Sequence, residues 1–162
     1  MKILFLTASA FGNTASVAGA MAEALASDAD VKSVIPESFS EEDLEGVDIL
    51  FLSSATQKFL PLPELMDVLK ALPSRAFRGK SVAVFDTRFT EEAIRKVRIL
   101  ALFVKIFGYA AGTLAKVASK KGGVLIDQPQ GFYVADTKGP LLDGELIRAK
   151  SWAQQCLKSC TH

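Results

Sequence analysis

Two hydrophobic periods alternate along this chain. Residues 2–7 (KILFLT), 47–53 (VDILFLS) and 81–86 (SVAVFD) are short runs apolar on both faces. That is the pattern of strands buried in a parallel sheet with helices on each side. Between them, apolar residues return every three or four positions. Residues 13–27 form the first predicted helix, with Val17, Met21 and Leu25 on its packing face. Residues 61–72 form the second, with Pro61 or Pro63 suited to its first turn. Thr90-Glu91-Glu92 caps a third that runs to residue 107, and Gly108 separates it from a fourth at 109–121, ended by Gly122-Gly123. A weak, edge-like strand is expected at 31–35, stopped by Pro36, and two short ones at 124–126 and 131–135 are split by Pro129. Residues 38–45 (SFSEEDLE), with a capping-like Ser40-x-x-Asp43, read as a turn or short helix, and 143–157 as a final helix carrying Trp152.

Strands alternating with helices predict a doubly wound α/β fold with a parallel sheet covered by helices on both faces, formed as a single domain over residues 1–162. In such a sheet, ligands bind beyond the carboxyl ends of the strands near the switch in strand order. Three loops would converge there: 7–14, 53–61 and 86–91.

Composition narrows the function classes. A chain that is 49% apolar and 23% charged is ordinary for a globular protein, and its net charge of +1 makes no electrostatic case for nucleic acid. The apolar run after Met1-Lys2 is too short for a signal peptide. The longest apolar stretch, 99–114, is interrupted by Lys105, Gly108 and Gly112 and falls short of the roughly 20 residues a membrane span requires. A cytoplasmic protein is expected. Cys156, Cys160 and His162 offer three ligands where structural zinc wants four, so reduced thiols without metal are expected. His162 is the single histidine, which argues against a His-based triad.

The segment 94–114 stands out, because Ile99, Leu100, Leu102, Phe103, Val104, Ile106 and Phe107 leave little polar face. Core packing accounts for part of it. For the remainder, a homodimer face is the leading expectation, and contact of a basic, apolar helix with a membrane surface is a weaker one. Arg95, Lys96, Arg98 and Lys105 would rim it in positive charge.

The first loop, Thr7-Ala8-Ser9-Ala10-Phe11-Gly12-Asn13-Thr14, joins a strand to an Ala-rich helix. It gathers unpaired N–H groups, hydroxyls and the positive end of a helix dipole at one point, which suits a phosphate. Ser9-Ala10-Phe11-Gly12-Asn13-Thr14 resembles the flavodoxin phosphate signature S-x-T-G-N-T. Phe85-Asp86-Thr87-Arg88 and the run from Gly131-Phe132-Tyr133-Val134 to Gly139-Pro140-Leu141 are similar to a group of small flavodoxin-domain proteins. The resemblance implies a five-stranded parallel sheet of order 2-1-3-4-5 and FMN as ligand, with Ser9, Asn13, Thr14 and the N–H groups of residues 10–14 on the phosphate.

Around the flavin ring it implies Ser54, Ala55, Thr56, Gln57 and Phe59 from the second loop, and Asp86, Thr87, Arg88 and Phe89 from the third. Arg88 would favour negative charge on the reduced ring, and Asp86 would oppose it unless the two pair. The sequence departs from the family at Phe11, where flavodoxins usually carry a threonine. It departs again at 53–61, which lacks the Trp or Tyr that would stack on the flavin. Its near-neutral charge also lacks the acidic field that steers flavodoxins to basic partners. The implied function is FMN-dependent electron transfer or reduction, toward a redox partner protein or a small-molecule acceptor. Two alternatives stand beside it: an interaction module with weak or no flavin binding, and an NAD(P)H-dependent quinone reductase.

Overall fold

The computed structural model describes residues 1–161. The strands are β1 (Lys2–Ala8), β2 (Asp30–Val34), β3 (Ile49–Gln57), β4 (Leu60–Pro61), β5 (Ser81–Arg88), β6 (Val124–Leu125) and β7 (Gln130–Tyr133). The helices are α1 (Asn13–Leu25), α2 (Pro63–Ala71), α3 (Glu91–Arg95), α4 (Arg98–Phe107), α5 (Ala110–Lys120) and α6 (Glu145–Cys160). The sheet runs β2-β1-β3-β5-β6, with β7 continuing beside β5 past β6 and every one of these pairings parallel. That is the order 2-1-3-4-5 once β6 and β7 are counted as one interrupted fifth strand.

The period-2 alternation of the strands builds both faces. Leu4, Leu6, Leu50, Leu52, Val82 and Val84 point to the side covered by α2 and α5. Ile3, Phe5, Ile49, Phe51, Ala83 and Phe85 point to the side covered by α1 and α6. On that second face Phe5 stacks on Phe51 with ring centroids 4.4 Å apart, and Trp152 sets its edge against Phe51 and Phe85. Trp152 Nε1 satisfies its own polarity by donating to Asp127 at 2.9 Å. Burying Cys156 in this layer pushes its thiol up to about 12, so it stays a neutral, inert thiol. His162 lies outside the described residues, and no metal-binding group is found among the others.

Two segments differ from the sequence reading. The helix expected from residue 90 to 107 is broken, with Val97 extended between α3 and α4. Ile94 and Leu100 both line one cavity. Six residues apart, they would lie about 120° apart around a continuous helix, and the break lets both face the same way. The loop expected at 53–61 is mostly strand: β3 extends to Gln57 and folds back on β4 through Lys58 and Phe59. Both turn residues have positive φ, 47° and 65°, the mirror-image turn that matches the twist of a hairpin. The Asn-Gly or Asp-Gly signal that announces such a turn is missing from the sequence. The capping box at Ser40 and Asp43 is present.

Candidate functional site

At the carboxyl end of the sheet, the three loops meet around a cavity of about 350 Å³. Ala10, Phe11, Asn13 and Thr14 come from the first loop, Ala55 to Phe59 from the hairpin, and Thr87, Arg88 and Phe89 from the end of β5. The volume is at the small end of the roughly 300–1,000 Å³ range of small-molecule clefts.

The first loop is shaped by Ser9. Its Oγ accepts the N–H groups of Gly12 at 3.1 Å and Ala15 at 3.3 Å, which folds the loop over the start of α1. A hydroxyl that accepts both bonds keeps its own proton available for a further acceptor. Gly12 sits at φ 89°, a left-handed torsion that glycine adopts without cost. The N–H groups of Ala10, Phe11, Asn13 and Thr14 donate to no acceptor among the described residues. Four unused donors at a helix N-terminus are an arrangement chemically able to hold an anion. Gly139 approaches this loop so closely that a Cβ there would fall 2.6 Å from Asn13 Oδ1. Thr14 is fully buried and its hydroxyl shares a 2.7 Å bond with that of Thr87, which ties the first loop to the third. One proton of that pair remains to donate elsewhere.

Asp86 does not line the cavity. It is fully buried beneath it, and Arg88 grips it in a fork, Nε to Oδ1 at 2.5 Å and Nη2 to Oδ2 at 2.9 Å. The Ala111 N–H at the start of α5 adds a 2.8 Å bond, so the carboxylate also meets the positive end of that helix. Burial pushes the Asp86 carboxyl above the ordinary carboxylate range, and Arg88 opposes that shift. The nearby Thr56 hydroxyl also favours the Asp86 charge. Thr56 Oγ1 nonetheless makes no well-formed hydrogen bond of its own, although it is buried.

Two further expected residues face elsewhere. Thr7 accepts from Ser53 Oγ at 2.9 Å inside the sheet. Ser54 Oγ accepts the Leu62 N–H at 2.8 Å and anchors the hairpin. Gln57 stands exposed at the rim, and Phe59 stacks on Phe103 of α4 with centroids 5.8 Å apart.

Sequence reasoning missed Tyr109, Ile94, Leu100, Val134 and Thr137, all of which line the cavity. Tyr109 matters most. The Arg88 guanidinium lies 3.8 Å from the centre of its ring, so it is presented by the same ion pair that holds α5. No short-range signal marks Tyr109, which precedes α5 and is far in sequence from all three loops. With Phe11, Phe59 and Phe89, it brings aromatic rings from four separate segments to the cavity wall.

No family model and no curated protein matches the sequence. Solved structures do. An archaeal flavodoxin superposes with a TM-score of 0.79 at 18% identity over 100% of both chains. The fold is flavodoxin-like. Oxidised flavodoxin 1 from Bacillus cereus gives a TM-score of 0.77 at 19% identity over 98% of each chain. The flavodoxin of Streptococcus pneumoniae TIGR4 gives 0.74 at 19%, over 98% of this chain and 99% of that one. At such identities the likeness fixes the flavodoxin-like architecture and leaves the site to be argued from its own residues.

Proposed function

We propose that this flavodoxin-like chain binds FMN non-covalently in the cavity and serves as a redox protein, by electron transfer or flavin-dependent reduction. The observation that carries the reading is the cluster of four unused N–H groups at residues 10, 11, 13 and 14 beside a cleft that presents Phe11, Phe59, Phe89 and Tyr109. One end suits a phosphate and the other a flat ring. The donor set fits FMN in a second respect, since the buried Thr56 hydroxyl has no well-formed partner and could donate to a polar ring edge.

FMN, when bound, supplies the site that accepts and passes electrons, and the protein contributes binding, orientation and electrostatics. Ser9 would hold the phosphate loop in shape while donating its remaining proton. Ala55 and Thr56 would border the ring, and Tyr109, Phe59 and Phe89 would exclude water from it. Arg88 brings positive charge to the cavity wall, but Asp86 balances most of it, so its field on a bound ring is modest.

The absorption spectrum and thermal unfolding of the purified chain, with and without added FMN, test the reading. A yellow complex is expected. With FMN at a hundred times its Kd, binding adds about 2.7 kcal/mol and raises Tm by roughly 5–10 °C. A colourless protein whose Tm ignores FMN would refute it.

A further inference from the structure

Helix α4 contributes little to the core. Ile99, Leu102 and Ile106 are 61%, 55% and 62% exposed, and Val97 is open to solvent beside them. Spacings of three and four put Ile99, Leu102 and Ile106 in one row along the outer face, while Leu100 faces inward onto the cavity. Leu60, next to the hairpin residue that stacks on α4, is exposed as well. A contiguous apolar patch of this kind marks a docking surface.

Charge identifies what docks there. From residue 93 to residue 126 the chain has seven lysines and arginines and no acidic residue. Elsewhere its twelve basic residues are outnumbered by eighteen acidic ones. Arg95 and Lys96 pair with Glu91 and Glu92 on α3. Arg98 and Lys105, seven apart, form a basic row along one edge of the apolar face and have no acidic partner among the described residues. An apolar face edged by unpaired cations complements a surface that is apolar within and negative at its boundary.

We infer that the outer face of α4 docks on the surface of an anionic lipid bilayer, lying in the interface plane. It does not cross the membrane. Residues 98–120 are long and apolar enough to span one, since they contain an 18-residue window with a mean hydropathy of 1.5. Yet the segment is split after α4, and α5 buries Ala110, Ala111, Leu114 and Ala118 in the core. The ten residues of α4 reach about 15 Å, half of the roughly 30 Å hydrocarbon core. A second copy of the chain fits this face less well. Antiparallel two-fold pairing of the helix sets the two unpaired basic rows against each other. A face about 15 Å long also covers far less than the roughly 800 Å² per partner of a stable interface. Docking would hold the cavity, walled on this side by Leu100 and by Phe59 stacked on Phe103, about one helix diameter, roughly 10 Å, from the lipid.

Co-sedimentation of the full chain with extruded vesicles tests this without reference to any flavin. Vesicles of phosphatidylcholine alone and of phosphatidylcholine mixed with phosphatidylglycerol are compared at low and high salt, with sedimentation velocity run on the lipid-free protein. The chain is expected to pellet with the mixed vesicles, to stay in solution with the neutral ones, and to be released by salt. Arg98→Gln with Lys105→Gln should weaken partitioning about 25-fold, at about fivefold per charge. Leu102→Ser with Ile106→Ser should abolish it, and both variants should keep the wild-type circular dichroism because these positions are solvent-exposed. Failure to pellet with mixed vesicles overturns the inference, as does binding indifferent to both double variants. A lipid-free dimer that Leu102→Ser with Ile106→Ser dissociates also overturns it and assigns the face to a second copy.

Discussion

Replacing Gly12 by valine is expected to weaken FMN binding by at least about a hundredfold. The left-handed torsion at φ 89° aims the N–H groups of the first loop, and a β-branched residue holds that torsion poorly. Space is not the obstacle, since a Cβ at Gly12 would meet nothing within 4 Å. The loop must therefore refold to relieve roughly 1–3 kcal/mol of strain. In doing so it loses at least two hydrogen bonds to a charged group, each worth about 1.5–3 kcal/mol. Fluorescence titration with FMN reads the change. Gly19→Ala is the control: it lies in α1 away from the cavity, where alanine gains up to about 1 kcal/mol of helix propensity, and FMN affinity should not move.

Arg88→Leu should cost about 3–5 kcal/mol of stability at neutral pH, because it strands a fully buried carboxylate. The loss should depend on pH with a defined sign. Burial already pushes the Asp86 carboxyl up, and removing Arg88 removes the strongest opposition to that shift. A carboxyl whose folded pKa exceeds its unfolded value of about 3.9 gives stability that is complete below that value. That stability is lost as the pH rises through the folded pKa. The deficit of Arg88→Leu relative to wild type is therefore smallest near about pH 4 and grows toward neutrality. Urea unfolding at both pH values measures it, and Asp86→Asn placed in the Arg88→Leu background should recover part of the neutral-pH loss. A deficit that ignores pH would show that Asp86 is not the stranded group.

The sheet was legible because its strands are written twice over. Leu4 and Leu6 alternate with Ile3 and Phe5, and both sets are apolar because both faces are covered. The bend of the first loop into α1 was legible because its contacts are local: Ser9, Gly12 and Ala15 bond within six residues of one another. The far end of the cavity was not. Tyr109 reaches it through a chain of non-local contacts, from Asp86 to Ala111 and from Arg88 to the Tyr109 ring, that no period or motif encodes. The hairpin at Lys58 and Phe59 was hidden for a different reason. Its positive-φ turn uses residues with no preference for that torsion, and stacking of Phe59 on Phe103 accompanies it. The break at Val97 follows from what Ile94 and Leu100 must both face, a requirement set by the cavity and not by helix propensity.

The proposed FMN binding depends on the first loop acting as a phosphate cradle, and calorimetric titration of the wild-type chain with FMN and with riboflavin tests that most directly. The two ligands share the ring and differ by the phosphate. Two or more charge-assisted bonds to that phosphate are expected to make FMN bind at least about a hundredfold more tightly than riboflavin. Equal affinity for the two, or no heat with either, would contradict it.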